Sequence, residues 1–240
     1  MVAPRDRLDP ENNLNWDLDG HRFDSSSVSE IVRKAVREGD GTNILHMAQS
    51  LRRKDLGVVL LLVERLAASR HRKRRQVAAV FCGAFATTPT AEAAETILRG
   101  LIDDSNVGVA SRAVDAMGRI GCFTKPEYID RFADHPDFVM RWARQSALIS
   151  CAYGFDSGVA SDPAALDSLI RLIEADRDET ISSGAAFHLG TMFESEGSAT
   201  PAVAAAFRRF VRHSNPGVRK WARYGLRKWR KREARERAES

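Results

Sequence analysis

The side chains best placed to do chemistry in this chain are its arginines and lysines. The run Arg70-His71-Arg72-Lys73-Arg74-Arg75 opens a stretch of helical apolar spacing, "RHRKRRQVAAVFC". Positive charge at a helix start opposes the macrodipole, at roughly 0.3–1 kcal/mol per charge at low salt. A chain with no anion to bind would more naturally place Asp or Ser there. Free backbone N–H groups ringed by cations hold phosphate or carboxylate. The expected chemistry is therefore anion or partner binding at Arg70, Arg72, Lys73, Arg74 and Arg75. A second set recurs near the starts of later apolar stretches: Arg112, Arg141, Arg144, Arg219, Lys220 and Arg223. These either pair with turn aspartates (Asp104, Asp134, Asp137, Asp178) or form a row facing a ligand. Trp142 and Trp221 lie among them, as core aromatics or as faces for contact with a partner. Charge reversal of Arg72, Arg74 and Arg75 is expected to damage binding and leave thermal stability nearly intact.

Catalytic and metal chemistry have little support. The histidines at 21, 46, 71, 135, 188 and 213 are scattered. No H-E-x-x-H, G-x-S-x-G or phosphate-binding glycine loop occurs. Asp115 lies between Arg112 and Arg119, where an i,i+4 ion pair accounts for it. Cys82, Cys122 and Cys151 are widely spaced and lack a C-x-x-C pair, so buried free thiols in a reducing cytoplasm are expected. No catalytic residue, metal or cofactor is assigned.

These residues need elements to position them. Apolar residues make up 43% and charged residues 29%, the balance of a globular chain with a core. The longest apolar stretch, "LGVVLLLVERLAA" at 56–68, carries Glu64 and Arg65 and falls short of the ~20 residues a membrane span needs. It reads as a buried helix, no membrane partner is expected, and the N-terminus has no secretory h-region. Net charge is +5, unevenly spread. Residues 1–24 hold three Arg against six acids, a net of −3, whereas residues 205–240 hold thirteen Lys/Arg against three Glu, a net of +10.

Period-2 alternation is scarce, and apolar residues recur at three and four, which indicates helices. Five stretches align on a small residue: Ala78, Ala113, Ala143, Ala185 and Ala222, at intervals of 35, 30, 42 and 37. Before four of them stands an Asp/Asn/Pro turn: "DDSN", "DHPD", "ADRD" and "HSNP". The unit is helix, short capped turn, helix. The 30-residue interval requires a shortened outer helix. "RWARQSAL" at 141–148 and "KWARYGLR" at 220–227 share a Trp-Ala-Arg core, which puts Trp142 and Trp221 in one row of the inner helices.

The best copies, "DDSNVGVASRAVDAMGRIG" at 103–121 and "SNPGVRKWARYGL" at 214–226, resemble the HEAT-repeat family. The resemblance spans roughly residues 55–229. It implies an all-α fold, an α-solenoid of about five to six stacked antiparallel helix pairs, because one pair cannot bury its apolar face alone. Residues 1–26 read as an acidic N-terminal arm, 27–229 as the solenoid and 230–240 as a basic helical or disordered tail. Residues 28–53 read as a further helix pair broken at Gly39-Asp40-Gly41. Leu14, Trp16, Leu18 and Phe23 of the arm are candidates to fold back over the first repeat.

The family implies a scaffold that binds a macromolecular partner on its inner face, and the charge layout points to an anionic partner that also meets the basic end. A protein partner is favoured, nucleic acid is the alternative, and no oligomeric state follows. The sequence also resembles, more thinly, HEAT-like glycosylases of alkylated DNA bases. There Trp142, Trp221, Arg141, Arg144 and Arg223 would grip a duplex and Asp115 would be the carboxylate, although no residue-by-residue match to that catalytic arrangement exists. HEAT-type lyase chaperones are a further parallel.

Overall fold

In a computed structural model, residues 25–38, 56–86, 88–153, 162–194 and 200–239 are described. The arm at 1–24 and the second half of the 28–53 helix pair fall outside them, as do most of the loops expected at 154–163 and 194–201. Eleven α-helices and no strand occur among the described residues. They are α1 (Ser25–Glu38), α2 (Leu56–Ala67), α3 (Arg72–Cys82), α4 (Ala91–Leu101), α5 (Val107–Arg119), α6 (Pro126–Ile129), α7 (Phe138–Tyr153), α8 (Pro163–Ala175), α9 (Glu179–Thr191), α10 (Pro201–Phe210) and α11 (Pro216–Glu239).

Successive helices pair: α2 with α3, α4 with α5, α8 with α9, and α10 with α11. The second helices then pack on one another, α3 on α5, α5 on α7, α7 on α9 and α9 on α11. The first helices form the other layer. The short interval is explained by α6, a first helix of four residues started by Pro126. Its shortness leaves α7 to pack on α8 of the following pair.

The alanine anchors behave as close-packing points. Ala78, Ala113, Ala185 and Ala222 are fully buried, and Ala143 is nearly so. Small residues let helices approach until larger side chains fill the flanks. Phe81, Phe85, Phe123, Phe207 and Phe210 fill them and are buried. The tightest backbone approach at a described glycine is between α5 and α7, where a Cβ on Gly118 would run into the backbone of Ala147. Just beyond, Gly121 takes φ 79° and ends α5, with its N–H on the Gly118 carbonyl and the Cys122 N–H on that of Met117.

All three cysteines are free and buried. Burial pushes the Cys122 and Cys151 thiols up to about 12. Their S–H groups point at the Met117 and Gly118 carbonyls. In the first-helix layer, Glu95 accepts from Lys125 at 2.6 Å and Arg99 at 2.9 Å, tying α4 to the segment after α5. Burial alone would raise the Glu95 carboxyl, but these two cations hold it below its ordinary value.

Candidate binding site on the second helices

Every second helix opens on one turn design. The caps are His71, Asn106, Asp137, Asp178 and Asn215. Two residues before each cap, a side chain accepts the cap's backbone N–H. These acceptors are Ser69 at 3.2 Å, Asp104 at 2.8 Å, His135 at 3.1 Å, Asp176 at 2.8 Å and His213 at 3.1 Å. The caps Asp137, Asp178 and Asn215 in turn accept from the first helical N–H groups, which would otherwise lack partners.

Four residues after the cap, α3, α7 and α11 carry an arginine that folds back over its own turn. Arg75 donates to the Ser69 and Arg70 carbonyls, both at 2.9 Å. Arg141 donates to the His135 carbonyl at 2.8 Å and that of Pro136 at 3.2 Å. Arg219 donates to the His213 carbonyl at 2.7 Å and to that of Ser214. The first two also reach the next repeat. Arg75 forks Asp104, with Nε at 2.5 Å and Nη2 at 3.1 Å. That hydrogen bond holds the Asp104 carboxyl below its usual range and raises the guanidinium. Arg141 lies 3.5 Å from Asp176, with both side chains almost wholly out of water.

The remaining site residues expected from sequence fall into two groups. Arg74 and Arg144 are buried; Arg144 lies 3.6 Å from Asp130, and burial lowers its pKa. Arg70, Arg72, Lys73, Lys220 and Arg223 are exposed, and Arg112 is half-buried. The pair Asp115–Arg119 forms as expected, at 3.1 Å, and Ser146 donates to Asp115 as well.

The two Trp-Ala-Arg phrases are not in the same row. Counted from the caps Asp137 and Asn215, Trp142 is the fifth residue and Trp221 the sixth. One residue is about 100° of rotation on a helix of 3.6 residues per turn. The matching residues are Arg141 and Arg219, which share the turn-clamping role. Trp142 therefore turns outward, 45% exposed, while Trp221 is half-buried with its ring edge-on to Phe187 at 4.6 Å.

The open face of the second-helix layer is aromatic and cationic. Six large apolar side chains are exposed among the described residues, and five of them (Val107, Phe138, Val139, Trp142 and Phe187) sit on second helices. Apolar exposure is thus concentrated on one layer rather than scattered. The Phe138 and Trp142 rings lie 5.9 Å apart. A second group runs Tyr153, His188, Phe187, Trp221 and Tyr224, with neighbouring centroids 4.6–6.3 Å apart. Burial lowers the His188 pKa, which favours its neutral form beside these rings. Lys220 lies 5.0 Å over Trp221, and Lys228 and Arg227 lie 5.2 and 5.5 Å over Tyr224. From Asn215 to Arg232 the chain has eight Lys/Arg and no Asp or Glu. Among the described residues no group of three His, Cys, Asp or Glu could hold a metal ion, and no helix is long and apolar enough to cross a membrane.

No family model and no curated protein matches this chain. Among solved structures it is similar to a designed armadillo repeat protein in complex with the peptide (KR)4. The TM-score is 0.51 at 16% identity, over 91% of this chain and 97% of that one. The fold is a helical-repeat solenoid. The crystal structure of an engineered protein also aligns, at TM-score 0.48 and 19% identity, over 87% of this chain and 94% of that one.

Proposed function

We propose that this solenoid is a non-catalytic, HEAT-type binding module that holds an acidic, extended segment of a protein partner. The segment lies on the open face of the second helices and against the basic last helix. The observation that carries this reading is the acid-free stretch of α11, whose eight cations include Lys220, Arg227 and Lys228 over the half-buried rings of Trp221 and Tyr224, with exposed Phe187 against Trp221. Opposite charge steers a partner in, and the rings give it something apolar to bury. Lys220, Arg223, Arg72, Lys73 and Arg112 supply cationic contacts, and Phe138, Trp142 and Phe187 supply apolar ones. Arg75, Arg141 and Arg219 hold the turns, and buried Arg74 and Arg144 contribute field rather than contact.

The designed armadillo repeat protein above is described in complex with a basic peptide, (KR)4. That peptide is basic, whereas the last helix here is rich in Lys and Arg, so the ligand proposed for this chain is acidic. Nucleic acid is the second reading, because Trp221 and Tyr224 interleave with cations as in single-strand binders. The glycosylase version of it would use Asp115 as its carboxylate, and that side chain is paired with Arg119 and Ser146.

The test is a titration of the full chain with a labelled peptide of alternating Glu and Leu/Trp, and with labelled single-stranded and duplex DNA, across a salt series. The proposal expects the peptide to bind and its affinity to fall with salt only in part, because ring burial is not screened. Steep, salt-dependent DNA binding with no peptide binding would overturn it in favour of nucleic acid.

A further inference from the structure

We infer that the segment this face takes carries its acids at its two ends and its apolar side chains between them, over a length of about nine to twelve residues. This rests on the acidic-partner reading and fixes the order of the partner's residues, which that reading leaves open.

The second helices do not offer cations evenly. At one end of the layer α3 exposes Arg72 and Lys73, and at the other α11 exposes Lys220, Arg223 and Arg227. α7 and α9 lie between them and expose no Lys or Arg. Arg141 and Arg144 of α7 are buried, and α9 has neither residue type. What α7 and α9 expose instead is Phe138, Trp142 and Phe187. On α5, Arg112 is half-buried and Arg119 is paired with Asp115.

The cap register puts these groups on one side of the layer. Counted from the caps, Arg72 and Phe138 stand first, Trp142 and Lys220 fifth, Phe187 ninth and Lys228 thirteenth. Steps of four residues keep to one helix face. Contacts between the helices follow the same register. Ser146 donates to Asp115, both ninth from their caps, and the Phe187 and Trp221 rings meet at 4.6 Å.

An acid laid over α7 or α9 would lose water against a ring with no cation to answer it, and Glu179, exposed in the first turn of α9, would repel it. An apolar side chain laid over the ends would cover charges that need water. The order cation, ring, ring, cation along the layer therefore selects acid, apolar, apolar, acid along the ligand. Neighbouring acids do not cancel the α3 end, because Arg75 forks Asp104 and Arg131 donates to Asp103. α3, α5, α7, α9 and α11 pack in succession, in steps of about 8–10 Å, which makes about 30–40 Å along the layer. An extended chain at ~3.3 Å per residue crosses that in about nine to twelve residues.

The experiment titrates the full chain with three fluorescent twelve-residue peptides of one composition, six Glu, four Leu and two Trp, and reads anisotropy near physiological salt. One has three Glu at each end, one has all six Glu in the middle, and one alternates Glu with Leu or Trp. Net charge and apolar content are equal, so charge attraction alone does not separate them. The peptide with terminal acids is expected to bind about tenfold or more tighter than either of the others. Two variants test the two ends: Arg72→Glu with Lys73→Glu, and Lys220→Glu with Lys231→Glu, all four side chains being exposed. Each should weaken that peptide about fivefold or more, while circular dichroism shows both variants folded. Equal affinity for the three peptides, or tighter binding of either of the others, would overturn the inference and leave the acidic-partner reading standing. Weakening by the α11 pair alone would overturn the two-ended order in the same way. No binding to any of the three would overturn both.

Discussion

Two basic clusters, at residues 70–75 and 219–232, read alike in sequence and differ in what surrounds them. In the first, Arg74 is buried and Arg75 is fixed between two turn carbonyls and Asp104 of the next repeat. In the second, only Arg219 clamps a turn, and no following repeat among the described residues supplies an acid. Lys220, Arg223 and Arg227 stay exposed. Position in the stack decides which cations become frame and which remain surface. A repeat with a successor can place that successor's aspartate against its arginine, and the last described repeat has no successor to supply one.

The comparison can be broken at its frame side first. Arg141→Ala should have the largest effect. It leaves the Asp176 carboxylate almost wholly buried without its ion partner, removes the donor to the His135 carbonyl and leaves the Pro136 carbonyl with Arg177 alone, at 3.4 Å. Breaking a buried pair in this way costs about 3–5 kcal/mol. Thermal unfolding should then drop by about 10 °C or more. Arg75→Ala should cost less, about 1–3 kcal/mol, because its side chain is 18% exposed and water can partly replace it. Reversing Arg72, Arg74 and Arg75 together should also lower the melting temperature. This corrects the expectation from sequence that those three could be reversed at little cost in stability.

A charged cluster in the other layer sharpens the contrast through pH. Glu95 is held below its ordinary value of 4.5 by Lys125 and Arg99. A depressed carboxylate contributes stability that is present above the unfolded value and lost as pH falls through the folded one. Wild type should therefore exceed Glu95→Gln in melting temperature at neutral pH. The gap should close as the pH is lowered below about 4.5. A gap that is unchanged at acid pH would mean that the cluster is held by packing rather than by charge.

The fold was legible because its determinants are local. Small anchors at one period and capped turns specify stacked helix pairs, and the short interval before Ala143 required the shortened first helix that α6 turns out to be. The site was only half legible. The exposed cations Arg72, Lys73, Lys220 and Arg223 follow from charge and helical phase. The turn-clamping role of Arg75, Arg141 and Arg219 does not, because their partners are backbone carbonyls five and six residues back, which no residue type advertises. The signal that does exist is the constant distance from the cap. Counting four residues from Asp137 and Asn215 gives Arg141 and Arg219, whereas matching the letters Trp-Ala-Arg shifts the alignment by one residue and misplaces Trp142. Phe138 and Phe187 were missed for a related reason. An aromatic residue at helical spacing reads as core, and only the packing of neighbouring helices shows that these two remain in solvent.

The smallest expected stability effect gives the most direct test. The triple variant Lys220→Glu, Arg223→Glu, Arg227→Glu should be measured in parallel for melting temperature and for affinity to the acidic, ring-bearing peptide. All three side chains are exposed, so the melting temperature should stay within about 2 °C of wild type. Affinity for the peptide should fall by about tenfold or more. A fall in melting temperature as deep as that of Arg141→Ala, or an unchanged affinity, would contradict the division between frame and surface on which the account rests.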